Sequence, residues 1–294
     1  MKKLFLYAVA TGFLFTACQK EDTADPSGSS GMKAASAPNV SPVPATFVKK
    51  VMVEEFTSAT NGFVPESSRD LYSSVKANPG RVYLAGLHLN DIMAHNQTNR
   101  LMSAFTPGNA SIPCATVDRA NFAGNTYLSS NQYSNAISAS LLKPVTCGVA
   151  INSAITGNSA VIDIHAGFAA TMPGSYKISA YLIEDRVVSG NPLFYQANAF
   201  NNMSGSPFYN AGNPITGFVH NNVVRRVLSS SMGDPINITA QVAGGSAVFN
   251  YKIDMPQKHN PNSTWKVIAF ITNDVTNEIV NVQMGDLGSL QDWN

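Results

Sequence analysis

Glu55-Phe56-Thr57-Ser58-Ala59-Thr60-Asn61-Gly62-Phe63-Val64-Pro65 is the stretch on which the fold of this 294-residue chain turns. Upstream of it, Val48 to Phe56 alternates and is rich in β-branched residues, which predicts a strand. Downstream, Leu71, Tyr72 and Val75 share one helical face, and Asn78-Pro79-Gly80 stops the helix after about Lys76. The stretch is therefore a strand-to-helix turn. Arg81 to Leu89 reads as a second strand. Residues 91 to 105 read as a helix with Ile92, Met93, Leu101, Met102 and Phe105 as its apolar positions. Ser111-Ile112-Pro113 leads into a short strand, Cys114 to Val117, and a last helix spans Tyr127 to Leu142 before Pro144. Strands alternating with helices predict an α/β layer over residues 46–143.

These residues carry a resemblance. Glu-Phe-Thr followed by a Gly-aromatic pair and Pro65 is similar to the thioredoxin-like turn Glu-Phe-Thr-x-x-x-Cys-Gly-x-Cys-Pro. Asn61 and Val64 stand where its two cysteines would be. Pro113 stands where that fold carries a cis-proline. Dithiol exchange needs a thiolate of lowered pKa and a second thiol to resolve it, and an amide and an isopropyl group supply neither. Asn61 can still open a helix, since its side chain accepts from free N–H groups. The expectation is a thioredoxin-like scaffold without the redox reaction.

Beyond Val145 the helical period disappears. Strands are expected at 145–155, 159–168, 174–184, 218–229, 235–243, 246–255, 264–273 and 278–284. Turn signals such as Thr156-Gly157-Asn158, Gly244-Gly245 and Asn260-Pro261-Asn262 separate them. Short alternating strands at this spacing predict an immunoglobulin-like β-sandwich over 144–294. A long interruption at 190–218 carries Phe194, Tyr195, Phe208 and Tyr209 among Asn, Gly and Ser. Aromatics with adaptable amides suit a recognition loop, and they equally suit an insertion that covers the core or packs on the first domain. Both readings stay open here.

The N-terminus sets an address. Lys2 and Lys3 precede an apolar run, Leu4 to Phe15, too short to span a bilayer as a helix but suited to a signal peptide. The run ends Leu14-Phe15-Thr16-Ala17-Cys18, which resembles a bacterial lipobox; residues 1–17 would be removed and Cys18 acylated into the outer membrane. Lys20, Glu21 and Asp22 resemble the signal that sends some lipoproteins to the outer face. The Ser-, Pro- and Ala-rich stretch through residue 45 cannot build a core and reads as a tether.

Only 13% of the residues are charged, about half the roughly 25% of ordinary soluble domains, and the formal charge is +1. No basic stripe exists to hold nucleic acid. Polarity comes instead from 29 Asn, 30 Ser and 18 Thr, which suit hydrogen-bonded loops. Cys114 and Cys147 are the thiols left once Cys18 is acylated; outside the cytoplasm they suit a disulfide, and a core strand suits a buried free thiol. His88, Asp91 and His95 are too loosely spaced for a metal site and read as a hydrogen-bonded turn. No nucleophile elbow, phosphate-binding loop or dinucleotide fingerprint is present. No enzyme, metal or cofactor is expected.

Both halves together resemble the outer-membrane lipoprotein family of about 28 kDa (Omp type). The residues that carry this are Val53-Glu54-Glu55-Phe56-Thr57, His88 with Asp91, Pro113 through Val117-Asp118-Arg119, and His220-Asn221-Asn222-Val223-Val224-Arg225. The resemblance implies a surface-associated lipoprotein of adhesin or receptor type. Members often retain Cys-Gly-x-Cys, which this chain lacks. The expected protein is thus a tethered, non-catalytic binder of an extracellular glycan or protein. The alternative is a periplasm-facing assembly factor whose redox-dead groove, lined by Ile112 and Pro113, holds polypeptide.

Overall fold

The computed structural model describes residues 39–105 and 111–294. Residues 1–17, the linker to residue 38, Cys18, Lys20, Glu21 and Asp22 lie outside them. The elements are β1 (Val51–Thr57), α1 (Val64–Lys76), β2 (Val82–His88), α2 (Thr98–Phe105), β3 (Cys114–Val117), α3 (Tyr133–Leu141), β4 (Cys147–Thr156), β5 (Ser159–Phe168), β6 (Tyr176–Asp185), β7 (Val223–Val227), β8 (Asp234–Pro235), β9 (Ser246–Asp254), β10 (Thr264–Asn273), β11 (Ile279–Asp286) and β12 (Leu290–Gln291).

Seven strands pair in the order β11-β10-β6-β7-β2-β1-β3, with β8 attached to β6, and β12-β4-β5-β9 form a second, four-stranded sheet. β1 runs parallel to β2 and antiparallel to β3. Period-2 alternation divides β1 between two cores. Val51 and Val53 face α1 and α3, while Met52 and Phe56 pack against Tyr181, Ile183 and Phe270. In the second half the four-stranded sheet lies face to face with β6 and β10. Val149, Ile151, Ile162, Ile164 and Phe168 meet Ile178, Leu182, Val267 and Ile271 there. Burial of such a side chain contributes roughly 1.5–3 kcal/mol, so this sandwich-like interface is a principal core.

The expected division at residues 143/144 is corrected. The first sheet runs through it, and the described residues fall in a single compact unit. The seam is narrow: β2 and β7 pair at Gly86 and Val223, where Gly86 N–H donates to Asn222 O at 2.8 Å. A Cβ on Gly86 would lie 3.1 Å from Asn221 O, so glycine lets the two backbones close. An ion pair reinforces the join. Arg119 donates to both Glu54 oxygens at 2.7 Å and to Tyr181 Oη at 3.0 Å, all buried. Removing one partner would strand a buried charge.

Three more expectations are corrected. The helix expected at 91–105 is confined to Thr98–Phe105, because the Asp91 carboxylate accepts from Ala59 N (2.7 Å) and Met93 N (2.9 Å) and holds residues 91–93 in a turn. The strand expected at 235–243 shrinks to Asp234–Pro235. Asn237 then caps a 3-10 turn at Ile238–Ala240 by accepting from Thr239 N, which diverts the chain from the ladder. The helix expected from Tyr127 starts as a 3-10 turn at Ser130–Gln132.

Cys114 and Cys147 are free and buried, so the possible disulfide between them is not formed. Cys114 packs with Met52 and Phe56, and Cys147 lies in the sandwich core with Val149. Burial pushes each thiol up to about 12, leaving both as small hydrophobes at neutral pH.

Candidate functional site

Beyond Val51 and Val53, the next residues on the α1 face of β1 are Glu55 and Thr57. On β2 the matching line runs Val82, Leu84, Gly86 and His88. Packing against α1 and α3 ends here, and a cleft of about 170 Å³ opens at the C-terminal ends of the two parallel strands. In open α/β sheets this is the usual place for a ligand. Glu55, Thr57, Leu84 and His88 line its base. Pro65, Ser68, Arg69 and Tyr72 of α1 form one wall, and residues 218–221 with Phe208 form the other.

The base is polar and buried. Glu55 is 5% exposed, and among the described residues the Ser68 hydroxyl is its one hydrogen-bond donor. Burial pushes the Glu55 carboxyl above the usual carboxylate range, with Ser68 and His88 pulling back. His88 Nδ1 meets Asp91 Oδ2 at 2.7 Å. Burial raises Asp91, but His88 and the N–H groups of Ala59 and Met93 bring it below its ordinary value. His220 sits edge-on to His88, ring centres 5.2 Å apart, with its Nε2 on Phe194 O at 2.9 Å. Burial, then the neighbouring His88, takes His220 down to about 4. Phe208, Phe218 and His220 continue as a tilted series of rings, at 6.4 and 5.1 Å between centres. The wall is aromatic and the base carries one carboxyl.

The insertion, residues 186–222, builds that wall by docking on the strand-to-helix turn. Ala197 N donates to Ala59 O (2.8 Å) and Ala199 N to Gly62 O (2.9 Å). Gln196 Nε2 donates to Asn61 O at 2.8 Å. A Cβ on Gly62 would stand 2.8 Å from Ala199 N, so only glycine admits this approach. The loop candidates therefore separate. Phe194 is buried with Ala59, Met93, Val187 and Val223, which corrects its assignment to a binding surface. Tyr195 is half-buried and donates to Gly190 O at 2.9 Å. Phe208 lines the cleft, and Tyr209 is exposed outside it.

Asn61 does not cap α1 directly. Its Oδ1 accepts from Phe63 N, one residue ahead of the helix, and its Nδ2 donates to Ile112 O, both at 2.9 Å. Val64 is buried at the start of α1. The Ile112–Pro113 peptide is cis. Neither Asn61, Val64 nor Pro113 lines the cleft. In the sequence Glu55 stands only as part of a motif and Tyr72 only on the apolar face of the first helix, neither as a site residue, and Ser68 carries no signal of its own. A signal was present: two adjacent glutamates in a seven-residue strand that is buried throughout, where a carboxyl needs a reason to be.

The model of the outer membrane protein family Omp28 matches residues 98–291, more than half of the chain and across the 143/144 boundary. The chain belongs to the Omp28 family. No curated protein sequence matches it. Among solved structures, HBP35 of Porphyromonas gingivalis is similar at 19% identity and a TM-score of 0.65, covering 82% of this chain and 76% of that one. A protein from Agrobacterium tumefaciens aligns at 13% identity over 84% and 98%, with a TM-score of 0.47. A domain of the outer membrane lipoprotein Omp28 from Porphyromonas gingivalis aligns at 10% identity over 49% and 90%, with a TM-score of 0.32. At these identities the HBP35 likeness speaks for the fold alone. Membership in Omp28 makes this an outer membrane protein family chain; no helix among the described residues is long and apolar enough to cross a membrane.

Proposed function

We propose that this Omp28-family chain is a lipid-anchored, non-catalytic binding protein that presents the cleft between α1 and the insertion at the cell surface. The observation that carries this is the cleft itself: a preformed concavity with aromatic and polar lining, the usual mark of a small-ligand site. Among the described residues that line it there is no thiol, and its two histidines are taken up by Asp91 and Phe194 O.

Segment 39–48 is clasped to the C-terminus: Trp293 Nε1 donates to Ser41 O at 2.8 Å, and Phe47 meets the Trp293 ring edge-on at 5.9 Å. β1 starts just beyond this clasp and ends in the cleft, about 20 Å further at the usual strand rise. In this reading Cys18 carries the lipid anchor and Lys20, Glu21 and Asp22 the export signal. The first half serves as a thioredoxin-like scaffold, on the strength of parallel β1 and β2, antiparallel β3 and the cis-proline. An immunoglobulin-like relationship for the second half rests on its sandwich-like packing. The periplasm-facing alternative is less favoured, because the carbonyls of Ala59, Asn61 and Gly62 are already held by the insertion.

The test is a small-fragment titration followed by backbone NMR, with recovery of each compound. Hits should perturb residues 55–57, 68–72 and 218–221 and be recovered unchanged. Chemical conversion of a hit, or hits confined to the sandwich, would contradict the proposal.

A further inference from the structure

Among the described residues Glu55 is the one acidic side chain that lines the cleft, and its surroundings leave a role open for a partner charge. Its neighbours can be taken element by element. On α1, Ser68 gives a neutral hydroxyl, and Arg69 at the rim is held by Asp70, with Nε and Nη2 at 3.0 and 2.5 Å from Oδ1. On β2, His88 is turned to Asp91. On β3 and α3, Cys114 and Tyr133 feel the carboxylate only as a repulsive charge. From the insertion comes His220, bound to Phe194 O. Among the described residues no cation hydrogen-bonds to Glu55. The other buried glutamates are treated differently: Glu54 has Arg119 and Glu184 has Arg225.

His88 attracts the Glu55 carboxylate through space while bonded to Asp91; a buried carboxylate with no hydrogen-bonded cation is expensive, so a cation entering the cleft gains a direct contact that the described residues do not supply. The wall suits such a guest. Phe208 and Phe218 line it with aromatic surface that suits an alkyl chain. A metal ion is not favoured, since the described residues contain no group of three ligands placed to hold one. An anion would face the carboxyl, and a neutral polyol would leave it without a counter-charge.

We propose that the cleft takes a primary ammonium group on a short alkyl chain, as at the end of a lysine side chain, with Glu55 as its counter-ion. This rests on the reading of the cleft as a binding site. Binding to the protonated acid balances as Glu-COOH plus R-NH3+ giving the Glu-COO−/R-NH3+ pair and one H+ released to solvent. Because burial holds the free carboxyl above its ordinary value, affinity should rise about tenfold per pH unit while Glu55 is protonated, then level off once it ionises.

The experiment is an NMR titration of the folded chain with n-butylammonium, its neutral counterpart n-butanol and the anion butyrate, repeated between pH 4 and 9. The expected result is perturbation of cleft residues by n-butylammonium at least tenfold more tightly than by n-butanol, with the stated rise with pH. Glu55→Gln, checked for folding by circular dichroism, should abolish both the preference and the pH dependence. The wild-type pH series stands even if that variant does not fold. Equal binding of n-butanol, affinity that does not change with pH, or amine binding retained in E55Q would overturn the ammonium assignment while leaving the cleft as a site. If none of the three probes perturbs the cleft, the binding reading falls with it.

Discussion

Glu54 and Glu55 are neighbours in sequence and opposites in structure. Strand alternation sends Glu54 to Arg119 and Tyr181, where two charge-assisted hydrogen bonds answer its charge. It sends Glu55 to the α1 face, where burial is answered by a single hydroxyl. A carboxyl whose pKa is raised in the folded state binds protons more tightly there than in the unfolded chain. Its contribution is therefore fully present below the unfolded value, near 4.5, and is lost as pH rises through the folded value. The stability of the wild type relative to E55Q should accordingly fall as pH rises above about 4.5 and become constant beyond the folded pKa. Urea unfolding of both proteins across pH 4 to 9 checks this; a difference that grows with pH would contradict the upward shift that burial gives Glu55.

Among the elements, the insertion combines two jobs that sequence alone could not separate. Phe194 is a core residue and Phe208 a cleft residue, although both are aromatic and both stand among Asn, Gly and Ser. Phe194→Ala should cost about 3–5 kcal/mol in equilibrium unfolding, as truncation of a buried aromatic does. Phe208→Ala should leave stability within about 1 kcal/mol, as expected for a partly exposed position, while weakening whatever occupies the cleft. Equal losses of stability in the two variants would contradict the division. The regular elements were legible because their signals are local: a period of 2 in β5, an unbroken apolar run in β10 and a period of 3.6 in α1. What was not legible depended on side chains that bond to distant backbone. Asp91 holds residues 91–93 against Ala59, and Asn237 ends the expected strand. The β2–β7 seam rests on Gly86 meeting Val223, a pairing with no periodic trace in the sequence. The cleft was half legible. His88 and His220 were marked by family resemblance, whereas Glu55 was quoted as part of a motif and its burial became visible only with α1 in place.

At the scale of the whole molecule, the clasp of segment 39–48 with Trp293 and the cleft lie at opposite ends of β1. Val219 lines the cleft and is 41% exposed. Cys114 and Cys147 are buried, with thiols at about 12, so they supply little background for thiol labelling. The most direct test is therefore Val219→Cys in intact cells treated with a membrane-impermeant maleimide. Outward presentation predicts labelling of the variant to the same extent before and after permeabilisation of the outer membrane, with the wild type unlabelled in both. Labelling of Val219→Cys only after permeabilisation would contradict it and put the cleft on the periplasmic side.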